Sequence, residues 1–424
     1  MPPAGSYSSA VPDGSTTATN SAAVVRLRLR GVRGFEDLTL DLSNGTGARN
    51  MTVVIGKNAT NKSTLLRSIV LGLAPPNDAE ALLAMQNGSL VRHGEKRAEI
   101  EVSVRRRGAR TYTLRKTIVR RPKGRDELSR ASVVHNPDLF VAGYGVSRSS
   151  TGSDSGSTSG PGVLDSAGSL FDYNRPLVDP ELTVRRLRDR IGTKRYDSLL
   201  ASLVSALGLH KGDRFVLPAG GGLELRGPSV GSATPLEAVA DGYRITFNWI
   251  MDLFARGMRA DAIDRTGQLF GVVLVDEIEQ HLHPALQARV TKHLASIFPR
   301  VQWVVTTHSP LVALGAEPNE IVPLRTSGGA VVVEAPVPNF RGWSAEDVLG
   351  DDRLFDSPVY APQDQERLDR YAALIAKGPQ RRTKAENTEL RTLAREVLDQ
   401  PLPQDLTADS GRGSGPTGSS RTSR

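Results

Sequence analysis

Gly56, Lys57, Asn58, Ala59, Thr60, Asn61, Lys62, Ser63 and Thr64 are the residues best suited to phosphate chemistry. They stand between an apolar run, Met51–Ile55, and a segment where Leu65, Leu66, Ile69, Val70 and Leu73 recur at helical spacing. Strand, turn and helix in that order aim backbone N–H groups at an anion. Lys62 is placed to reach β- and γ-phosphates, and the Ser63 hydroxyl to ligate Mg2+. The segment departs from G-x-x-x-x-G-K-[ST] at Asn61, where glycine is usual; asparagine tolerates the positive φ such a turn needs. Taken alone, the same residues also read as a helix opened by Lys and Ser with no ligand.

Two further strand ends carry chemistry. Gly271–Val275 is a buried-strand run ending in Asp276 and Glu277, the Walker B layout: one carboxylate for a Mg2+ shell, the next to polarise a water for in-line attack at the γ-phosphate. Val301–Val305 delivers Thr306, Thr307, His308, Ser309 and Pro310, with His308 placed to contact a γ-phosphate. Between the phosphate loop and these strands, Asp241, Gly242 and Arg244 open a helix striped by Ile245, Trp249, Ile250, Leu253 and Phe254, a second N-terminal anion site. Each has a plain structural alternative: a solvated acidic turn, an exposed histidine, an Asp-Gly turn.

Their order, each signal beside the strand or helix it needs, resembles the ABC-type P-loop ATPases, and more closely their RecF-like, OLD-like and SMC-like branch. The resemblance covers about residues 24–345. It rests on Arg28–Leu38 with Phe35, the phosphate loop, Ala240–Arg244 as the signature, and Asp276–Pro284 with His281 and His283. Relative to such loops, Ala59 also replaces a usual glycine, so weaker ATP binding is expected. The implied fold is α/β: a mixed central sheet, N-terminal antiparallel strands, an inserted helical lobe and C-terminal helices. The implied activity is Mg2+-dependent ATP hydrolysis, with Glu277, His308 and Lys62 catalytic, residues 56–64 with Asp241, Gly242 and Arg244 binding ATP, and Ser63 and Asp276 holding Mg2+. Two heads would sandwich two ATPs, with Arg244 acting in trans in a homodimer or larger assembly. Gly143–Arg148 is similar to a loop of this branch, which directs Arg148 to nucleotide or partner, or is a post-strand turn. Gln86 is a candidate Q-loop residue. His281 and His283 fall in the turn after Walker B, where a zinc site is not expected.

Stand-alone ATPases of this length in the branch resemble subunits of anti-phage defence systems such as the Septu ATPase, which works beside a separate HNH nuclease; DNA repair is the neighbouring role. OLD-type proteins continue into a TOPRIM nuclease, for which the sequence after His308 is too short, so a separate effector is expected. A non-hydrolysing nucleotide-gated scaffold is the alternative. A transporter ATPase shares the motif order, but the 180 residues from Lys62 to Gly242 exceed what its helical subdomain requires.

Composition bounds the rest. The 424 residues hold 54 Lys and Arg against 46 Asp and Glu, a net +8 that favours an anionic partner, and no cysteine, which excludes disulfides and thiolate metal sites. Between residues 105 and 130 eleven Lys or Arg face two acidic residues, making Arg105, Arg106, Arg107, Arg115, Lys116, Arg120 and Arg121 candidates for DNA phosphate contacts; Arg185, Arg186, Arg188 and Arg190 form a second group. Residues 1–20, 149–162 and 407–424 are too poor in apolar residues to fold and read as tails and a linker. They frame head segments 24–148 and 241–345, a lobe at 163–240 and C-terminal helices at 346–406, two of them between Gln363 and Gln400. No run reaches the roughly 18 apolar residues of a membrane span, no signal segment opens the chain, and no sustained heptad marks a coiled-coil arm, so the expected setting is cytoplasmic.

Overall fold

The computed structural model describes residues 22–45, 47–106, 111–121, 126–129, 139–148, 151–152, 162–264 and 266–396. Arg107, residues 1–20, most of 149–162 and 407–424 lie outside them. Contacts divide the chain into Met1–Asp356 and Ser357–Arg424.

Alternating apolar residues in β1 (Ala23–Val32) and β2 (Phe35–Asp41) make a hairpin. With β4 (Arg97–Arg105), β5 (Tyr112–Arg120) and β6 (Asp126–Leu128) it forms an antiparallel sheet in the order β2-β1-β4-β5-β6; between them in sequence run β3 (Met51–Gly56), α1 (Lys62–Leu73) and α2 (Pro76–Met85). A second sheet joins β3 to β7 (Val141–Tyr144), β13 (Phe270–Val275), β14 (Arg300–Thr306), β15 (Ile321–Ser327) and β16 (Ala330–Val333) in the order β16-β15-β3-β14-β13-β7. It is parallel throughout except for β16, which pairs antiparallel with β15. The mixed central sheet and separate antiparallel sheet are those expected.

Because side chains alternate along a strand, the central sheet feeds two cores. Val54, Val272, Leu274 and Val304 point to the side holding α1 and the antiparallel sheet, whereas Val53, Ile55, Val273, Val275, Trp303 and Val305 point to the opposite side. Helix α1 therefore lies between the two sheets and is buried nearly all round, from Leu65 to Leu73. Gly72 permits that approach: a Cβ there would stand 2.3 Å from the Val102 side chain.

The opposite face is covered by α6 (Asp241–Arg259), α8 (Val290–Ile297), α9 (Pro310–Gly315) and the lobe. Short elements lead into that lobe: β8 (Thr151–Gly152), α3 (Val163–Ala167) and β9 (Leu177–Val178). It comprises α4 (Pro180–Ile191), α5 (Thr193–Ala206) and a small antiparallel sheet of β10 (Arg214–Val216), β11 (Glu224–Arg226) and β12 (Thr234–Pro235). The lobe has the expected helices, α4 and α5, and adds to them a small sheet that the helical spacing did not announce. Glycines 220, 227 and 231 at positive φ interrupt any helix, and Phe215, Leu223 and Leu225 are buried from extended chain. α7 (Pro284–Gln287) precedes α8, and α10 (Ala345–Gly350) belongs to the first unit, whose core takes in Val348, Leu354 and Phe355. In the second unit, α11 (Pro362–Ala376) packs on α12 (Lys384–Glu396) through Leu374, Leu390 and Leu393, with a bidentate Arg370–Glu389 pair at 2.8 Å.

One charged cluster is buried under α6. The carboxylate of Asp252, with no exposed surface, accepts from the Tyr144 hydroxyl at 2.8 Å, the Val178 amide at 2.8 Å and Arg256 Nε at 2.6 Å. Arg256 also pairs with Asp165 on α3 at 3.1 Å. Burial and the Asp252 charge hold the Tyr144 hydroxyl protonated, its pKa raised well above the usual tyrosine value. Replacing Asp252 with alanine strands Arg256 without its nearest counter-charge, and is expected to cost about 3–5 kcal/mol. The urea midpoint reads that loss; an unchanged midpoint would show that the cluster does not hold α6 to β7.

Candidate active site

Parallel pairing brings the carboxyl ends of β3, β14 and β13 to one edge, the place where open α/β sheets bind ligands. Gly56 ends β3 at φ 147°, and a Cβ there would meet the Leu324 carbonyl at 2.4 Å, so only glycine lets the loop leave. The loop turns through two left-handed residues, Ala59 (φ 66°) and Asn61 (φ 61°). Asparagine adopts that conformation at little cost, and its amide nitrogen donates to the Ala59 carbonyl at 3.2 Å. Alanine has no such compensation. Thr60 Oγ1 donates to the Lys57 carbonyl at 2.8 Å and closes the turn. Helix α1 starts with no side-chain cap and no acidic residue in its first turn, leaving its first N–H groups directed at the loop.

Lys62 is folded back over this cradle, its Nζ donating to the Gly56 and Lys57 carbonyls at 2.7 and 3.0 Å. Burial pushes its pKa down to about 8, against the pull of Asp276, Glu277 and Glu279. Lys57 instead forms an exposed 2.6 Å ion pair with Asp356.

The carboxylates are set by the neighbouring strand. Thr306 Oγ1 donates to Asp276 Oδ1 at 2.5 Å and accepts from the Glu277 amide at 2.8 Å. Asp276 Oδ2 is buried with no hydrogen-bond partner, and the half-buried Ser63 hydroxyl stands at the helix start. An orphaned carboxylate oxygen and a hydroxyl are hard oxygen donors of the kind Mg2+ takes, so these residues fit that ion. Glu277 Oε2 accepts from Gln280 at 2.8 Å, and its Oε1 lies 3.9 Å from His308 Nε2. Burial, and then the Lys62 charge, push the His308 pKa down, so the imidazole is neutral near pH 7. The His308 amide donates to Glu279 at 2.6 Å. Lys62, Asp276, Glu277 and His308 thus come together at this edge. Thr306, Glu279 and Gln280 lie within the recognised motifs but received no role from the sequence.

Asp241, Gly242 and Arg244 occupy the first turn of α6. Among the described contacts they meet the turn after Walker B rather than residues 56–64: a Cβ on Gly242 would stand 2.5 Å from the His281 carbonyl, and Arg244 pairs with Asp241 at 2.5 Å. His283 caps α7, its Nδ1 accepting from the Ala285 amide at 3.3 Å. With its amide turned so that oxygen faces the guanidiniums, Gln86 accepts from Arg33 at 2.5 Å and Arg67 at 3.3 Å. Arg148 is buried, and two of its nitrogens are taken by the Asp276 and Glu277 carbonyls, so the expectation that it reaches nucleotide or partner needs correcting.

The basic strand does not form one phosphate-binding face. Lys116 alternates with exposed Arg115 and points inward with Leu114 and Ile118, 2% exposed; this corrects its place among the DNA-contact candidates. Arg120 is turned onto Ser89 Oγ and the Val91 carbonyl. Arg115 pairs with Glu101 at 2.6 Å and Arg121 with Glu127 at 2.8 Å, and Arg105 and Arg106 are exposed at the strand end.

A phosphate loop, paired acidic strand end and neighbouring histidine on one parallel-sheet edge define a P-loop nucleotide site. Comparison with known proteins agrees. Residues 26–135 match the family profile described as "AAA domain", and residues 172–314 that described as "AAA domain, putative AbiEii toxin, Type IV TA system". The chain carries AAA-family ATPase domain sequence and is homologous to Septu protein PtuA and to retron ATPases. It is 37% identical to Septu protein PtuA of Bacillus thuringiensis over 97 residues, 21% of this chain and 24% of that one. It is 30% identical to Septu protein PtuA of Bacillus mycoides over 162 residues, 38% and 22% of the two chains. It is 31% identical to the Retron Vc95 probable ATPase of Vibrio cholerae over 118 residues, 27% and 23%. The matched segments thus span 24%, 22% and 23% of these relatives. Among solved structures, an Smc head bound to the C-winged helix domain of ScpA superposes with a TM-score of 0.46 at 16% identity, covering 73% of this chain and 96% of that one. The SMC head domain of Thermotoga maritima gives 0.42 at 15% identity, covering 74% and 99%.

Ala59→Gly should raise the thermal midpoint slightly. Relief of the left-handed strain, about 1–2 kcal/mol, outweighs the roughly 0.5–1 kcal/mol that glycine ordinarily costs; a lower midpoint would mean that Ala59 is unstrained. ATP affinity should fall as pH rises past about 8, where free Lys62 loses its proton. Phosphate favours the charged amine, so binding above that pH takes up a proton. Calorimetry in buffers of different ionisation enthalpy measures the uptake, and it should vanish in Lys62→Met.

Proposed function

We propose that this chain binds ATP with Mg2+ and hydrolyses it, cycling a dimer or larger assembly between states near nucleic acid. The observation that carries the hydrolytic reading is Glu277, held by Gln280 at 2.8 Å beside neutral His308 and following an Asp276 whose Oδ2 is buried and unengaged. Mg2+ held by Ser63 and Asp276 would neutralise phosphate charge. Glu277 then accepts the proton of the attacking water, Lys62 leaves its two loop carbonyls for the phosphates, and the His308 ring N–H donates to a γ-phosphate oxygen. Asp241, Gly242 and Arg244, lying against the His281 turn, suit closure on a second copy's nucleotide. Similarity to Septu and retron proteins supports a part in anti-phage defence beside a separate effector such as a nuclease, with DNA contacts at Arg105 and Arg106 and their neighbours Arg115 and Arg121.

The test is Mg2+-dependent phosphate release with and without DNA. Glu277→Gln should keep ATP binding and lose turnover by about 100-fold or more. Any DNA stimulation should weaken as salt rises. ATP binding without turnover under every condition would reassign the chain as a nucleotide-gated scaffold.

A further inference from the structure

Arg148 is a fully buried cation to which the hydrolytic scheme gives no part. It follows β7 by four residues and is 2% exposed. Its Nη1 donates to the Asp276 carbonyl at 3.0 Å and its Nη2 to the Glu277 carbonyl at 2.8 Å. These are successive peptide groups, and their relative orientation is set by φ and ψ of the residue between them, which is Glu277. A guanidinium is a rigid planar fork, so two carbonyls held on it cannot rotate independently. Glu277 needs that restraint: at φ 48° it occupies the left-handed region, which costs a side-chain-bearing residue about 1–2 kcal/mol.

The fork is itself anchored. The Tyr144 carbonyl accepts from the Asp276 amide at 2.8 Å, and the Tyr144 hydroxyl is bound to Asp252 on α6. Gly145 abuts the Ser169 carbonyl, where a Cβ would come within 2.3 Å. The segment from Tyr144 to Arg148 is thereby tied to the Walker B backbone at one side and to the helix opened by Asp241 at the other.

We infer that Arg148 is a positioning residue for hydrolysis: it fixes the backbone of Glu277, and so the place of its carboxylate, without itself contacting nucleotide. This rests on reading Glu277 as the carboxylate that activates water. Displacing a catalytic group by about 1 Å costs on the order of 100-fold in rate, and Arg148→Met should lose about that much in kcat. Its affinity for a fluorescent ATP analogue should stay within about threefold of wild type, since uniform binding is untouched. Arg148→Lys keeps the charge but not the fork, and should recover only part of the rate. In a Glu277→Gln background, Arg148→Met should cost nothing further. Hydrogen–deuterium exchange of the peptide spanning residues 271–282 should quicken in Arg148→Met.

Unchanged kcat in Arg148→Met would overturn the inference. So would a parallel loss of kcat, analogue affinity and thermal midpoint, the mark of a merely structural arginine, or a full additional loss in the Glu277→Gln background. Absence of turnover in the wild-type chain would instead sink the hydrolytic reading, and exchange at residues 271–282 would still decide whether Arg148 holds that backbone.

Discussion

The Thr306 hydroxyl is the interaction on which the site turns. One oxygen donates to Asp276 and accepts from the Glu277 amide, so a strand that carries no acidic residue fixes both acidic residues of its neighbour. A hydroxyl can do this because it is donor and acceptor at once, and it is fully buried, where a bond left unmade would be costly. The bridge also sets the spacing of β13 and β14 at their carboxyl ends. The Ile278 amide then donates to the Thr306 carbonyl, carrying the pairing past the strand and into the turn.

Above that bridge the site is a balance of charges. Lys62, depressed by burial, lies among Asp276, Glu277 and Glu279, and its ammonium is satisfied for the present by two backbone carbonyls. A phosphate competes with those carbonyls on favourable terms, because a charge-assisted bond is about twice as strong as one to a neutral acceptor. Burial, and after it the charge of the same lysine, lower the His308 pKa and keep the imidazole neutral.

Strands β3, β13 and β14, helices α1 and α6 and the four motifs they carry were legible because each rests on local periodicity: three buried strands with polar ends, and helices striped at helical spacing. The small sheet of the lobe was not, since its strands of two or three residues are shorter than any period that could announce them. The parts played by Thr306, Glu279 and Arg148 escaped for another reason. Their roles come from strand order, which places β14 between β3 and β13 and β7 outside them, and strand order is a long-range property with no local signature. Arg148 meets Glu277 across 129 residues of chain.

Lys116 shows how counting charge misleads where counting alternation would not. It lies between Arg115 and Thr117 on a strand whose odd positions face out, and its even-numbered neighbours Leu114 and Ile118 are buried with it. The net charge of +8 likewise overstates the free cations. Arg28, Arg30, Arg115 and Arg121 each meet a carboxylate across or along the strands. Cross-strand pairing of this kind lets a two-sided sheet carry many arginines without self-repulsion. An anionic partner would therefore meet exposed Arg105 and Arg106 at the strand end, or displace carboxylates that already occupy the arginines.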